Sequence, residues 1–197
     1  MELIYNDKYY DSPEYEEGKY TNELLIELQN YASDIKTRDI IIHQGADWPV
    51  VLVDLFSSIE WTSILKASVI PGVFFLGKKI NENLEAWVEI GKKLKKIFKK
   101  NQPARIDEQA AFTIALNDMI NLDKSIIIDE VILKIHNYNS NSDIYSSLKS
   151  RPDSLYLFEI TTHKGFFVYA IRSDGKISFK YEFGNTWNDF LQESDIK

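Results

Sequence analysis

The sequence predicts an α+β fold: a helical hairpin and further helices packed on a mainly antiparallel sheet that ends in a three-stranded C-terminal meander. Three observations carry this expectation. Apolar residues recur at helical spacing through much of the first 123 residues. Beyond Leu155, short alternating runs are separated by turn tripeptides. No glycine- or proline-rich linker divides the 197 residues, so one domain is expected, helix-rich over 1–123 and strand-rich over 124–197.

Taken in order, Glu2 to Asn6 reads as a short strand, followed by a loop rich in tyrosine and acid. Thr21 is placed to cap a helix over Asn22 to Ile35, with Leu24, Leu25, Leu28, Ala32 and Ile35 on one face. The β-branched run in Arg38 to His43 predicts a buried strand. Asp47-Trp48-Pro49 resembles a helix start, a carboxylate before a proline whose missing N–H costs nothing in the first turn. Because the apolar run there exceeds strand length, a helix is expected from Trp48 to Ser68, broken at Pro71-Gly72. Ile80, Leu84, Trp87, Gly91, Leu94 and Phe98 then alternate spacings of four and three, predicting an amphipathic second arm that ends near Lys100.

Asp107-Glu108 opens a further helix carrying Ala110, Ala111, Ile114, Ala115, Met119 and Leu122. Ile126 to Ile135 suits a long strand, although Ile128, Val131, Ile132 and Ile135 also fit helical spacing. Leu155 to Thr162, Phe166 to Arg172 and Lys176 to Phe183 form the meander, turning at His163-Lys164-Gly165 and Ser173-Asp174-Gly175. In the last strand, Ile177, Phe179, Tyr181 and Phe183 define the side expected to be buried. A terminal helix is expected around Trp187 to Leu191.

Composition narrows the function. With no cysteine, the chain has no disulfides, thiolate metal sites or cysteine nucleophile. A net charge of −7 argues against nucleic acid as a partner, since that affinity comes from cations that neutralise phosphates. No glycine-rich phosphate loop and no nucleophile elbow is present. The three histidines, His43, His136 and His163, lack metal-type spacing, so no cofactor is implied. The first residues show neither a basic nor an apolar targeting region, and a cytoplasmic location is expected.

Charge is nonetheless unevenly placed. Nine acidic residues face two lysines between Met1 and Asp34, whereas eight lysines face three glutamates between Lys78 and Lys100. Docking of the acidic part on the basic helix, within one chain or between two, follows from that complementarity. Lys92, Lys93, Lys95, Lys96, Lys99 and Lys100 are the candidate contacts for a partner or an anionic surface. Ile80, Leu84, Trp87, Leu94 and Phe98 are the candidate apolar interface.

The sequence points to a non-catalytic interaction module that self-associates or binds a protein partner through the amphipathic hairpin. A second reading is a peripheral membrane effector that uses the apolar block 48–77 and the lysines at 92–100. A third is a metal-dependent enzyme using Asp129, Glu130 or Glu159 with Lys134 or Lys164, although the acid-to-lysine spacing of such sites is absent.

Overall fold

The computed structural model describes residues 1–31, 35–43, 47–55, 73–74, 81, 84–137 and 154–184. They form nine strands and three helices: β1 (Glu2–Asn6), α1 (Lys19–Leu28), β2 (Ile35–His43), β3 (Asp47–Leu55), β4 (Val73–Phe74), α2 (Leu84–Lys100), β5 (Arg105–Ile106), α3 (Glu108–Leu122), β6 (Ile128–Asn137), β7 (Ser154–Thr162), β8 (Gly165–Arg172) and β9 (Ile177–Gly184). The class is α+β. The strands make two antiparallel sheets, ordered β2-β3-β1-β5 and β4-β6-β7-β8-β9.

Several expectations change. Residues 47–55 are a strand, not the first arm of a helical hairpin: β3 lies between β1 and β2, where a β-branched run pairs on both sides. Pro49 is tolerated because it sits opposite Ile41 but one residue beyond the last β1 partner, where β3 has a single neighbour. The rest of the expected helix, 56–68, lies outside the described residues, as do Pro71-Gly72, Ile80 and the terminal helix at 187–191. The hairpin that does form joins α2 to α3. The first 123 residues, read as helix-rich, therefore also hold a four-stranded sheet.

The first helix is shorter than its periodicity suggested. It starts after Gly18, whose φ of 79° is left-handed, and Thr21 is a buried residue of its first turn rather than the cap. It stops at Leu28 because the Asn30 side chain donates to the Ile26 and Glu27 carbonyls, which the next turn would otherwise use. Ile35 consequently begins a strand. Residues 128–137 are a strand that pairs with β7 and β4. Its start is held by Asn81, whose amide both donates to and accepts from the Ile128 backbone.

The helix α3 is the centre of the packing. Asp107 caps it by accepting from Ala110 N at 2.8 Å. Nine of its fifteen residues are buried, on more than one face, which marks a helix covered by neighbours on several sides. Trp87 of α2 meets Phe112 edge-on at 5.9 Å, and Phe112 meets Phe158 of β7 at 5.6 Å. One apolar cluster thus runs from Leu3, Tyr5 and Val53 in the first sheet through Leu94 and Leu116 to Phe158 and Tyr169 in the second.

The seam between the sheets is the connection from α2 to α3. Ala104 N donates to Ile4 O and Asp107 N to Glu2 O, on the side of the first sheet. Ile106 N donates to Ser173 O at 2.7 Å, and its carbonyl accepts from the Tyr156 hydroxyl at 2.7 Å, on the side of the second. Asp107 Oδ2 also accepts from Glu2 N at 2.7 Å. Burial pushes the Asp107 carboxyl up from its ordinary 3.8 to about 6, against the lowering effect of its backbone hydrogen bonds.

The fold therefore holds a proton on Asp107 more tightly than the unfolded chain does. Stability from this group is fully present below the unfolded value and falls as pH rises through the window from 3.8 to about 6. Asp107→Asn keeps the cap acceptor but cannot accept from Glu2 N, a nearly constant cost of about 1 kcal/mol. Melting temperatures across a pH series should show the variant weaker near the bottom of the window and recovering against the wild type toward its top. A gap that does not vary with pH would refute the raised carboxyl.

Candidate functional site

Two faces of α2 carry opposite chemistry. Trp87, Ile90, Gly91, Leu94 and Ile97 are buried toward α3 and the core. At about 100° per residue, positions 92, 95, 96 and 99 fall on the opposite side within an arc of about 100°. Lys92, Lys95, Lys96 and Lys99 are all exposed there. None of the four forms an ion pair among the described residues. The flanking lysines differ: Lys93 pairs with Glu89 at 2.8 Å and Lys100 with Glu27 at 2.5 Å.

Burial pushes the Glu27 carboxyl up, but hydrogen bonds from Lys100 and Asn101 outweigh it and hold the group below its ordinary value. The acidic N-terminal part thus reaches the basic helix within one chain at this point. Two further ion pairs there are local, Glu23 to Lys8 at 2.8 Å and Glu14 to Lys19 at 3.8 Å. The Tyr9 hydroxyl also donates to Glu23. Beyond them, Glu14, Tyr15, Glu16 and Glu17 form an exposed acidic loop, Tyr15 being 44% exposed and edge-on to Tyr10 at 5.9 Å.

The apolar stripe expected to meet a partner is spent inside the chain. Trp87 and Leu94 are 3% and 0% exposed in the core, and Leu84 and Phe98 are half-buried against it. The physical reason is that α3 already covers that face. The last strand departs from expectation as well: Phe179 and Tyr181 are 52% and 45% exposed, stacked at 6.3 Å, on the side of β9 read as buried.

A small cleft of about 210 Å³ opens beside the lysine face. Phe98, Ile114 and Ile177 form its apolar lining, while Lys95, Asp118 and Asn117 supply polar groups. Asp118 Oδ2 accepts from the Tyr169 hydroxyl at 3.2 Å and from Lys180 at 2.9 Å. Burial raises the Tyr169 phenol well above its ordinary range, and the Asp118 charge adds to the effect. Asn117 is 7% exposed, and its Oδ1 has no hydrogen-bond partner among the described residues.

Sequence reasoning found the lysines because they share one helix. It missed the cleft, whose walls come from α2, α3 and the turn before β9. The available signal was Gly91, a glycine at a core position of an otherwise strong amphipathic pattern.

Of the carboxylates considered for catalysis, Glu159 is buried and paired with Lys134 at 2.5 Å, and Lys164 pairs with Asp123 at 2.5 Å. Among the described residues, no three His, Asp or Glu side chains come together as a metal-ion site. His163 accepts from Ile127 N through Nδ1 at 3.0 Å, which pins the turn between β7 and β8 to the start of β6. Among the described residues, no helix is long and apolar enough to cross a membrane. No protein-family model, curated protein or solved structure matches the chain.

Gly91 permits the close approach of the two helices that form the cleft. A Cβ there would lie 2.5 Å from Asn117 Cβ and 2.9 Å from its Cγ, atoms too near the backbone to swing away. Gly91→Ala is therefore expected to destabilise the fold by about 1–3 kcal/mol through overpacking, despite the helix propensity gained. Denaturant unfolding measures it; an unchanged or raised stability would show that the helices can separate freely.

Proposed function

We propose that this chain is a non-catalytic interaction module that captures an acidic polypeptide segment on the lysine face of α2. The observation that carries the reading is the set of four neighbouring lysines, exposed and forming no ion pair among the described residues, on a chain of net charge −7. Their spacing brings like charges together at three and four residues, which opposes the helix. Proximity to the negative end of the helix dipole offsets part of that cost. An anionic partner removes the repulsion and adds pairs of its own.

A short acidic segment fits better than a bilayer. The lysine row is only about 10 Å long, seven residues at the rise of a helix. A membrane is an extended anionic plane and would confront the acidic remainder of the chain, whereas a peptide meets the row alone. Among the described residues, the exposed large apolar side chains are Tyr15, Ile26, Leu122, Ile127, Ile135, Phe179 and Tyr181, and none of these lies on α2 beside the lysines.

Fluorescence anisotropy with a labelled polyglutamate peptide tests the reading. The wild type should bind, more weakly as salt rises. Lys92→Glu, Lys95→Glu, Lys96→Glu and Lys99→Glu together should weaken binding by at least about tenfold, or about 1.4 kcal/mol. Equal binding by the charge-reversed chain would overturn the proposal. Phosphatidylserine vesicles bound in place of the peptide would favour the membrane reading.

A further inference from the structure

We infer that the acidic segment captured on α2 is the 11–17 loop of a second copy of this chain, with Tyr15 entering the cleft beside Lys95. The inference rests on the lysine-face reading above and names its partner. The chain itself carries both halves of the contact: exposed Lys92, Lys95, Lys96 and Lys99 on α2, and exposed Glu14, Glu16 and Glu17 around Tyr15. Within one copy the two halves make no ion pair among the described residues. Among the described residues, Glu14 pairs with Lys19 at 3.8 Å.

The loop is ordered for binding before it binds. Ser12 N donates to Tyr9 O, Tyr15 N to Ser12 O and Lys19 N to Glu16 O, while Ser12 Oγ accepts from Glu14 N. Successive turns of this kind lower the ordering cost of association. They also present glutamates on both sides of one aromatic ring.

The cleft matches that ring in size and chemistry. At about 210 Å³ it is smaller than the ~300–1,000 Å³ usual for a small-molecule pocket, and so suits a single side chain. Phe98, Ile114 and Ile177 offer apolar and aromatic contact, and Asp118 offers a carboxylate at the polar lip for a phenol hydroxyl. Lys95 belongs to both cleft and lysine row, so a ring in the cleft carries its neighbouring glutamates onto the row. The net charge of −7 on each copy opposes association at long range. At physiological ionic strength, screening over ~8 Å removes most of that repulsion while leaving touching pairs intact.

Sedimentation velocity of the full chain over a range of concentrations tests this, using three chains. One is the wild type. The second carries Lys92→Glu, Lys95→Glu, Lys96→Glu and Lys99→Glu, and the third Glu14→Lys, Glu16→Lys and Glu17→Lys. The wild type should gain mass with concentration at physiological salt and lose the gain at high salt. Each variant alone should stay monomeric, and an equimolar mixture should associate again, because the reversed row now faces the reversed loop. Tyr15→Ala should weaken wild-type association roughly tenfold and leave polyglutamate binding unchanged.

A wild type that binds polyglutamate yet stays monomeric at every concentration overturns this inference and leaves the lysine-face reading standing. A wild type that does not bind polyglutamate overturns both. Association that persists in either variant alone, or survives Tyr15→Ala undiminished, overturns the contact as drawn. Should a variant fail to fold by circular dichroism, a synthetic peptide of residues 11–18 decides on the wild type. Dispersal of the associated form by the peptide supports the contact, and its persistence refutes it.

Discussion

The rest of the fold depends on the four-residue connection from Ala104 to Asp107. On one side it pairs with β1; on the other, Ile106 gives its N–H to Ser173 and its carbonyl to the Tyr156 hydroxyl. Buried backbone groups must find partners, and here the partners belong to different sheets, so satisfying them holds the sheets together. Asp107 adds the helix cap at the same place. The entry angle of α3, and through it the position of α2, is thereby set from a seam of very few residues.

Because α3 lies against α2, β1, β7 and β8, the chain has used its apolar helix faces internally. The side of α2 left outward is the basic one. Gly91 lets α2 approach α3 closely, and a cleft opens where the turn before β9 packs against Phe98 and Ile114. The turn needs Gly175 there, with φ of 81° and no room for a Cβ beneath the Phe98 ring. Packing therefore places the cleft at the edge of the lysine row.

Much of the second half of the fold was legible in the sequence, since local signals there agree with one another. Hairpin turns bound alternating runs from Leu155 onward, and a capping carboxylate opens α3 at Asp107. The 47–55 region was not legible, because a proline after an aspartate suits a helix start and a strand edge alike. What separates them is whether neighbouring strands exist to pair with, and β1 and β2 supply them from other parts of the chain. The exposure of β9 escaped for a related reason: alternation shows that two sides differ, not that either meets the core, and residues 178–182 are exposed on both. Of the site, the lysines could be read from helical spacing alone, whereas Asn117, Asp118, Gly175 and Ile177 could not, since nothing in sequence links them to Lys95.

By itself, the sequence determined the α+β class, the antiparallel C-terminal meander, the cap at Asp107 and the sorting of acid to the N-terminal part and lysine to α2. These follow from residue spacing and side-chain chemistry within short stretches. Only the tertiary structure decided that two sheets share one apolar cluster, that the stripe through Trp87 and Leu94 is core, and that four lysines forming no ion pair among the described residues lie beside a cleft. Those outcomes depend on which surfaces meet. Pairing and packing choose among faces that local propensity leaves equivalent.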